Sequence, residues 1–370
     1  MLEQTTIFDM LPDDEAEKWK PKKSTDWKWT MANDYPEKNG LKVFSCFACG
    51  GGSTMGYKLA GCEVVGCCEI DPKMNEVYIK NHNPKHNFCM DIRKFNEIPN
   101  EELPEELFNL DILDGSPHCT TFSMAGDREE SWGKKKKFRE GQAEQTLDDL
   151  SFIFIETVAK LKPKVMIMGN VEGLIKGEAW SYVQKIYKQL NEAGYTLKHW
   201  LLKGEYMGVP QTRHRVFFIA VRNDMNYDVT RLDMSFNYEP ILFGDIKCGI
   251  GDKLNESSIM YNLLCKALPC DKRLGDTLVR LGQKEKFFNE RIFWEHNMVQ
   301  TVAANGGMYR GKEKTRVSCE DIIYASTFPQ DYEFINRTRH NVQYICGMSV
   351  PPIMIKRIVT RLIESGVFDV

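Results

Sequence analysis

An α/β fold built on a doubly wound, mostly parallel sheet is predicted by three features of this 370-residue chain. Short apolar runs alternate with helical periodicity beyond residue 38, and three glycines stand where the first run turns into the first helix. An acidic residue, Glu69, follows those glycines by about 20 positions, the spacing at which a carboxylate meets a ribose.

The strand-like runs are 42–47, 62–68, 110–113, 165–168 and 216–221, apolar segments bounded by turn residues. Helical spacing of apolar residues fills the gaps at 55–59, 72–81, 147–161 and 180–193. Sheet and helices together predict a catalytic, cofactor-binding domain over 39–222. The alternation is then lost, and short apolar pieces predict a smaller irregular domain over 223–335. Helical periodicity returns with Ile353, Ile355, Ile358 and Leu362, so 336–370 is expected to rejoin the first domain. Residues 1–38 are polar, carry Pro12, Pro21 and Pro36, and are expected to form an extension outside the core.

Composition narrows the function. With 42% hydrophobic residues the chain has a true core, and no apolar run approaches the length of a membrane span. The amino terminus is acidic rather than signal-like, so a cytoplasmic protein without membrane contact is expected. Twelve cysteines lie without the paired spacing of a disulfide framework or a metal site. A net charge of −3 argues against coating nucleic acid through bulk positive charge. The local run Lys134–Lys137 with Arg139 fits either a solvated surface or phosphate contact.

Two stretches carry chemistry. In DILDGSPHCTTFS, Asp111 to Ser123, an apolar strand is broken by Gly115, Ser116 and Pro117, which delivers Cys119 to the carboxyl edge of the sheet. Cys119 is the candidate nucleophile, against the alternative of a small core thiol. In FACGGG, Phe47 to Gly52, a strand runs into a helix through glycines, bringing backbone amides and a helix amino terminus to a ligand; a plain flexible turn reads the same way. Glu69 and Asp91 are placed to meet a ribose and an adenine edge, although each alone equally fits a helix cap or surface charge. A nucleoside cofactor without pyrophosphate suits all three features.

Taken in order, these stretches resemble the DNA cytosine-5 methyltransferases across residues 41–365. The markers are FACGGG, the EID at Glu69 to Asp71, GSPHCTTFS, GNVEGL at Gly169 to Leu174, VPQTRHRVFF at Val209 to Phe218, RVSCEDIIYASTFPQDYEF at Arg316 to Phe334 and CGMSVPP at Cys346 to Pro352. The resemblance implies a Rossmann-like S-adenosylmethionine-dependent methyltransferase fold with a target-recognition domain. It implies a donor pocket of Phe47, Ala48, Gly51, Gly52, Glu69, Ile70, Asp91, Ile92 and Pro117, closed by Ser349. It further implies Cys119 as nucleophile, with Arg213 and Arg215 holding the flipped cytosine; spacing by two at a strand entrance puts both on one face. Double-stranded DNA is the implied partner, with a possible cognate restriction endonuclease and a monomeric state.

Such residues suit the reaction. Carbon 5 of cytosine is a poor nucleophile until a thiolate adds at carbon 6, and hydrogen bonding at ring nitrogen 3 assists that addition. The base must first leave the duplex, and the polar segment from Ser123 to Gln145 is a candidate lid over it.

The chain departs from the family pattern where Cys49 replaces glycine, His118 replaces proline, Met348 replaces asparagine and Gly169 replaces the catalytic glutamate. Glu172 and His118 are the candidate substitutes for that glutamate. Three activities stay open at this level: DNA cytosine methylation, binding of DNA and cofactor with weakened or no turnover, and methylation of cytosine in RNA. Gln4 to Phe8 (QTTIF) is also similar to peptides that dock on replication sliding clamps.

Overall fold

The computed structural model describes residues 20–117 and 149–368. Its first part runs β1 (Lys42–Cys46), α1 (Gly52–Leu59), β2 (Glu63–Cys68), α2 (Pro72–His82), β3 (His86–Phe88), α3 (Ile92–Glu97), β4 (Ile112–Gly115), α4 (Leu150–Leu161), β5 (Val165–Val171), α5 (Trp180–Glu192), β6 (Tyr195–Lys203), β7 (Gln211–Thr212) and β8 (His214–Arg222). Among the described residues, seven strands share one sheet in the order β3-β2-β1-β4-β5-β8-β6. The first five of that order pair in parallel, and β8 runs antiparallel to both of its neighbours.

Local chemistry accounts for the elements. β1, β4 and β5 are near-continuous apolar runs because helices cover both faces: Val43, Ile112, Ile167 and Phe217 feed one core, while Phe44, Leu113, Met166 and Phe218 feed the other. Asp71 caps α2 by accepting from Lys73 N at 2.9 Å, with Pro72 at the first helical position. β6 has no counterpart among the predicted strands. Its sequence YTLKHWLLK sets Lys198 and His199 among apolar residues and is only half buried, which obscures the strand signal.

The second part holds α6 (Phe243–Ile246), α7 (Ile259–Leu264), α8 (Leu274–Arg280), β9 (Arg291–Phe293), β10 (Val299–Gln300), β11 (Met308–Arg310) and β12 (Thr315–Arg316), followed by α9 (Cys319–Ala325), α10 (Arg339–Met348) and α11 (Pro352–Glu364). A separate small core of Leu263, Leu264, Leu274, Leu278, Ile292 and Tyr309 lies here. Phe243, Phe293, Val302, Ile322 and Phe328 belong instead to the main core, so the self-contained unit is smaller than 223–335. As expected, α11 returns to the first domain: Ile353, Ile355, Ile358 and Leu362 are buried, and the helix packs on α1.

Residues 20–38 are not an outlying extension. Trp27 and Trp29 are buried in the main core, and Trp29 Nε1 donates to Thr327 O at 2.9 Å. The Asp331 carboxylate accepts from Met31 N and Ala32 N at 2.8 and 3.0 Å, and Asp26 pairs with Arg357 of α11. Two indole anchors outweigh a polar average, since each large aromatic buries more apolar area than several small residues.

Candidate functional site

β1 delivers the chain to α1 through a strained turn. Phe47 and Cys49 hold positive φ angles of 55° and 47°, and Gly51 one of 82°. For the first two this left-handed backbone costs on the order of 1 kcal/mol each and has to be over-determined by packing. It is: Phe47 N donates to Cys68 O at 2.9 Å, Tyr332 Oη donates to Gly50 O at 2.6 Å, and Ala48 packs with Cys67 and Tyr78. His82 Nε2 stands 3.3 Å from the same Gly50 carbonyl, which can only accept, so Nε2 carries the proton. Burial pushes the His82 imidazole down to about 3, keeping it neutral.

The glycines serve packing. A Cβ on Gly51 would lie 2.0 Å from His82 Nε2, and one on Gly52 would lie 2.4 Å from Val350 O. The donor turn is thus pressed between α2 and the segment that links α10 to α11. Ser349, on that segment, keeps a buried hydroxyl with no hydrogen-bond partner beside Gly52.

Glu69 is 7% exposed and anchors the turn: Oε2 accepts from Cys49 N at 2.7 Å and Oε1 from Asp71 N at 2.8 Å. Burial raises its pKa, with the backbone amides pulling the other way. A carboxylate accepts about four hydrogen bonds and the Ile70 amide takes a third, so capacity for one ribose hydroxyl remains. Asp91 caps α3 by accepting from Arg93 N at 2.9 Å and lies 3.4 Å from the Arg93 guanidinium. Ile92 begins α3 and is buried, while Ile70 is half buried beside Glu69. The orphaned Ser349 hydroxyl, the uncapped amino terminus of α1 and the spare acceptor capacity of Glu69 fit a zwitterionic nucleoside ligand such as S-adenosylmethionine.

On the neighbouring strands the chain leaves β4 through Ser116 and Pro117; Pro117 is buried and its carbonyl accepts from Asn170 Nδ2 at 3.4 Å. Gly169 pairs with Phe217 and Val171 with Arg215, and directly paired residues share a face, so position 169 faces the same side as Arg215. His118, Cys119, the lysine run at 134–137 with Arg139, the 123–145 segment and Gln4 to Phe8 lie outside the described residues.

Arg213 is held by the protein's own backbone. It is 2% exposed and its guanidinium donates to Val302 O, Gly347 O and Ser349 O at 3.0, 3.0 and 2.8 Å. A side chain so committed is a strut between the recognition segment and the donor-closing turn, although its buried Nε has no hydrogen-bond partner among the described residues. Gln211 reinforces it, accepting from Val302 N at 3.1 Å and donating to Ala325 O at 2.6 Å. Arg213→Ala would orphan three buried carbonyls. At about 1–3 kcal/mol each, a loss on the order of 3–6 kcal/mol of folding stability is expected in denaturant titration. Arg215 keeps the cation: it bonds His214 O at 2.7 Å, and burial lowers its pKa to about 10.

Residues 41–364 match the sequence profile of the C-5 cytosine-specific DNA methylases. The chain belongs to that family. Among curated relatives, the type II methyltransferase M.NgoPII of Neisseria gonorrhoeae is 26% identical over 357 residues, covering 87% of this chain and 95% of its own. M.Bsp6I, a type II methyltransferase of a Bacillus species, is 29% identical over 341 residues, covering 88% and 99%. The solved structure of a Spodoptera frugiperda DNMT2 mutant superposes with a TM-score of 0.60 at 17% identity, covering 88% of this chain and all of that one, a likeness of fold. Membership of this methylase family brings S-adenosylmethionine as the methyl donor and cytosine in DNA as the substrate.

Gly169 stands where the family carries its catalytic glutamate, and Glu172, three residues on, is engaged by other partners. Glu172 is bound to Lys176 at 2.6 Å and lies 3.5 Å from His214 Nδ1; His214 Nε2 is in turn 2.8 Å from Glu205. Side chains alternate along β8, so His214 points away from the face of Arg215 and draws Glu172 with it. The Lys176 hydrogen bond also holds the Glu172 carboxyl below its ordinary pKa, which suits a standing anion rather than a proton donor. Cys49 in this methylase is an inert thiol, pushed up to about 12 by burial. Sequence reasoning gave no role to His82, outside every marker, or to Tyr332, inside the marker Arg316 to Phe334, because their contacts with Gly50 arise from distant packing.

Proposed function

We propose that Cys119 is the nucleophile of this methylase, adding to carbon 6 of a cytosine extruded from duplex DNA. What supports this is the route of the chain out of β4: it reaches Pro117 between the donor turn (Phe47 to Gly52) and the strand pair that carries Gly169 and Arg215, and Cys119 follows two residues later in the sequence. The donor supplies the methyl group. The chain supplies the rest: Glu69 fixes the ribose, Ser349 offers its hydroxyl at the rim, Asp91 and Ile92 flank the adenine, and Arg215 meets the pyrimidine carbonyl. Extruding the base costs a few kcal/mol, offset by contacts to the base and phosphates.

Incorporation of tritiated methyl groups into mixed-sequence duplex DNA tests this reading, with tRNA as the alternative acceptor. Label in the duplex and none in tRNA is expected, and bisulfite sequencing then gives the target. Donor binding without transfer to either acceptor would overturn it in favour of a binding-only relative, the reading that Gly169 favours. The type II relatives also support a restriction-modification setting with a cognate endonuclease; a monomer acting on one duplex is part of the proposal, and a symmetric dimer in analytical ultracentrifugation would overturn it.

A further inference from the structure

Asp114 is the one carboxylate inside the sheet next to the donor turn, and the mechanism above leaves it without a role. It stands on β4, 2% exposed, between β1, β5 and α1. Oδ2 accepts from Ser45 Oγ at 2.7 Å and Oδ1 from Tyr57 Oη at 3.0 Å, while Ser53 in the first turn of α1 also hydrogen-bonds it. Among the described residues no lysine, arginine or histidine pairs with it; every group that favours its anion is a hydroxyl. An anion buried without a cation is costly, and such a site is retained where a charge arrives from outside.

Each element that holds Asp114 leads directly into the donor pocket. Ser45 precedes Phe47 by two residues, Gly52 opens the helix that carries Tyr57, and Pro117 follows Asp114 by three. Three residues span at most about 10 Å, so the carboxylate lies within a short Coulombic reach of the pocket rim. We propose that Asp114 is a positioning residue of the donor pocket: a buried anion that favours the sulfonium donor over its neutral thioether product. This rests on the donor-pocket reading given above.

Burial raises the Asp114 carboxyl to about 7, so it titrates in the working range. Among the described residues the titratable groups around it are Cys46 on β1, Tyr57 on α1 and Tyr78 on α2, and burial pushes all three upward and keeps them neutral. The sign follows: the cationic donor gains on the product as pH rises through that value.

Calorimetric titration with S-adenosylmethionine and with S-adenosylhomocysteine, at pH 6 and pH 8, tests the proposal. In the wild type the donor-to-product affinity ratio is expected to rise on the order of tenfold between the two conditions. In Asp114→Asn it is expected to be flat and correspondingly lower at pH 8, with product affinity nearly unchanged. An unaltered ratio in the variant, or a parallel loss of both ligands, would overturn the proposal while leaving the pocket assignment standing. A wild-type protein that binds neither ligand would overturn the pocket assignment itself. Should Asp114→Asn fail to fold, Tyr57→Phe removes one donor to the carboxylate and is expected to move the midpoint of the pH dependence upward; an unmoved midpoint would overturn the proposal.

Discussion

Cys119→Ala is expected to reduce methyl transfer to duplex DNA by at least on the order of 10⁴-fold, the scale on which a lost nucleophile acts. Nothing else described near the strand ends can replace it. Cys46 is sealed in the core, Cys49 is held half buried in the donor turn and Cys346 is buried beside Arg213, and burial pushes all three thiols upward. The variant should still bind S-adenosylmethionine, because the donor turn is held by Glu69, His82 and Tyr332 rather than by the thiol. A 5-fluorocytosine duplex gives the complementary readout. The wild type should form a covalent complex that survives denaturing electrophoresis, and the alanine variant should form none. Full activity in Cys119→Ala would remove covalent catalysis from this protein.

The second large effect is a gain. Gly169→Glu restores a carboxyl at the end of β5 on the face of Arg215, and a positioned acid–base group contributes about 10²- to 10⁴-fold in rate. The single substitution meets an obstacle, since a Cβ at 169 would lie 2.9 Å from Ser116 Oγ and 3.1 Å from Phe217 Cε1. Removing that oxygen with Ser116→Ala opens the space without touching the backbone. The double variant is therefore expected to exceed wild-type turnover on the order of 10²-fold, with Gly169→Glu alone giving a smaller gain. A pH profile identifies the cause: the restored carboxyl should add an acidic limb absent from the parent. Turnover unchanged in both variants would show that ring nitrogen 3 is already served by another group.

Much of this architecture is legible in the amino-acid order. The strands β1, β2, β4, β5 and β8 are written as apolar runs because a sheet covered on both faces needs them so, and FACGGG marks its own turn. Fates decided by distant packing are not legible. Arg213 and Arg215 look equivalent in QTRHR, yet one is spent on three carbonyls contributed from positions 302, 347 and 349. Gly51 and Gly52 suggest close approach of a ligand, and the structure sets His82 and Val350 against them first. Glu172 stands three residues past Gly169, and only the pairing of β5 with β8 reveals that it is drawn to Lys176 and His214. Trp27 and Trp29 are hidden in a polar segment because burial is a property of individual side chains.

The seating of α11 against α1 bears on how the protein comes into being. Pro352 lies 300 residues beyond Gly52, so a nascent chain exposes the apolar flank of α1 until α11 has been made. Contacts of such sequence separation slow folding. A ribosome-bound intermediate that lacks α11 should therefore lack donor affinity, and methylation competence should arrive abruptly with that helix rather than accrue along the chain.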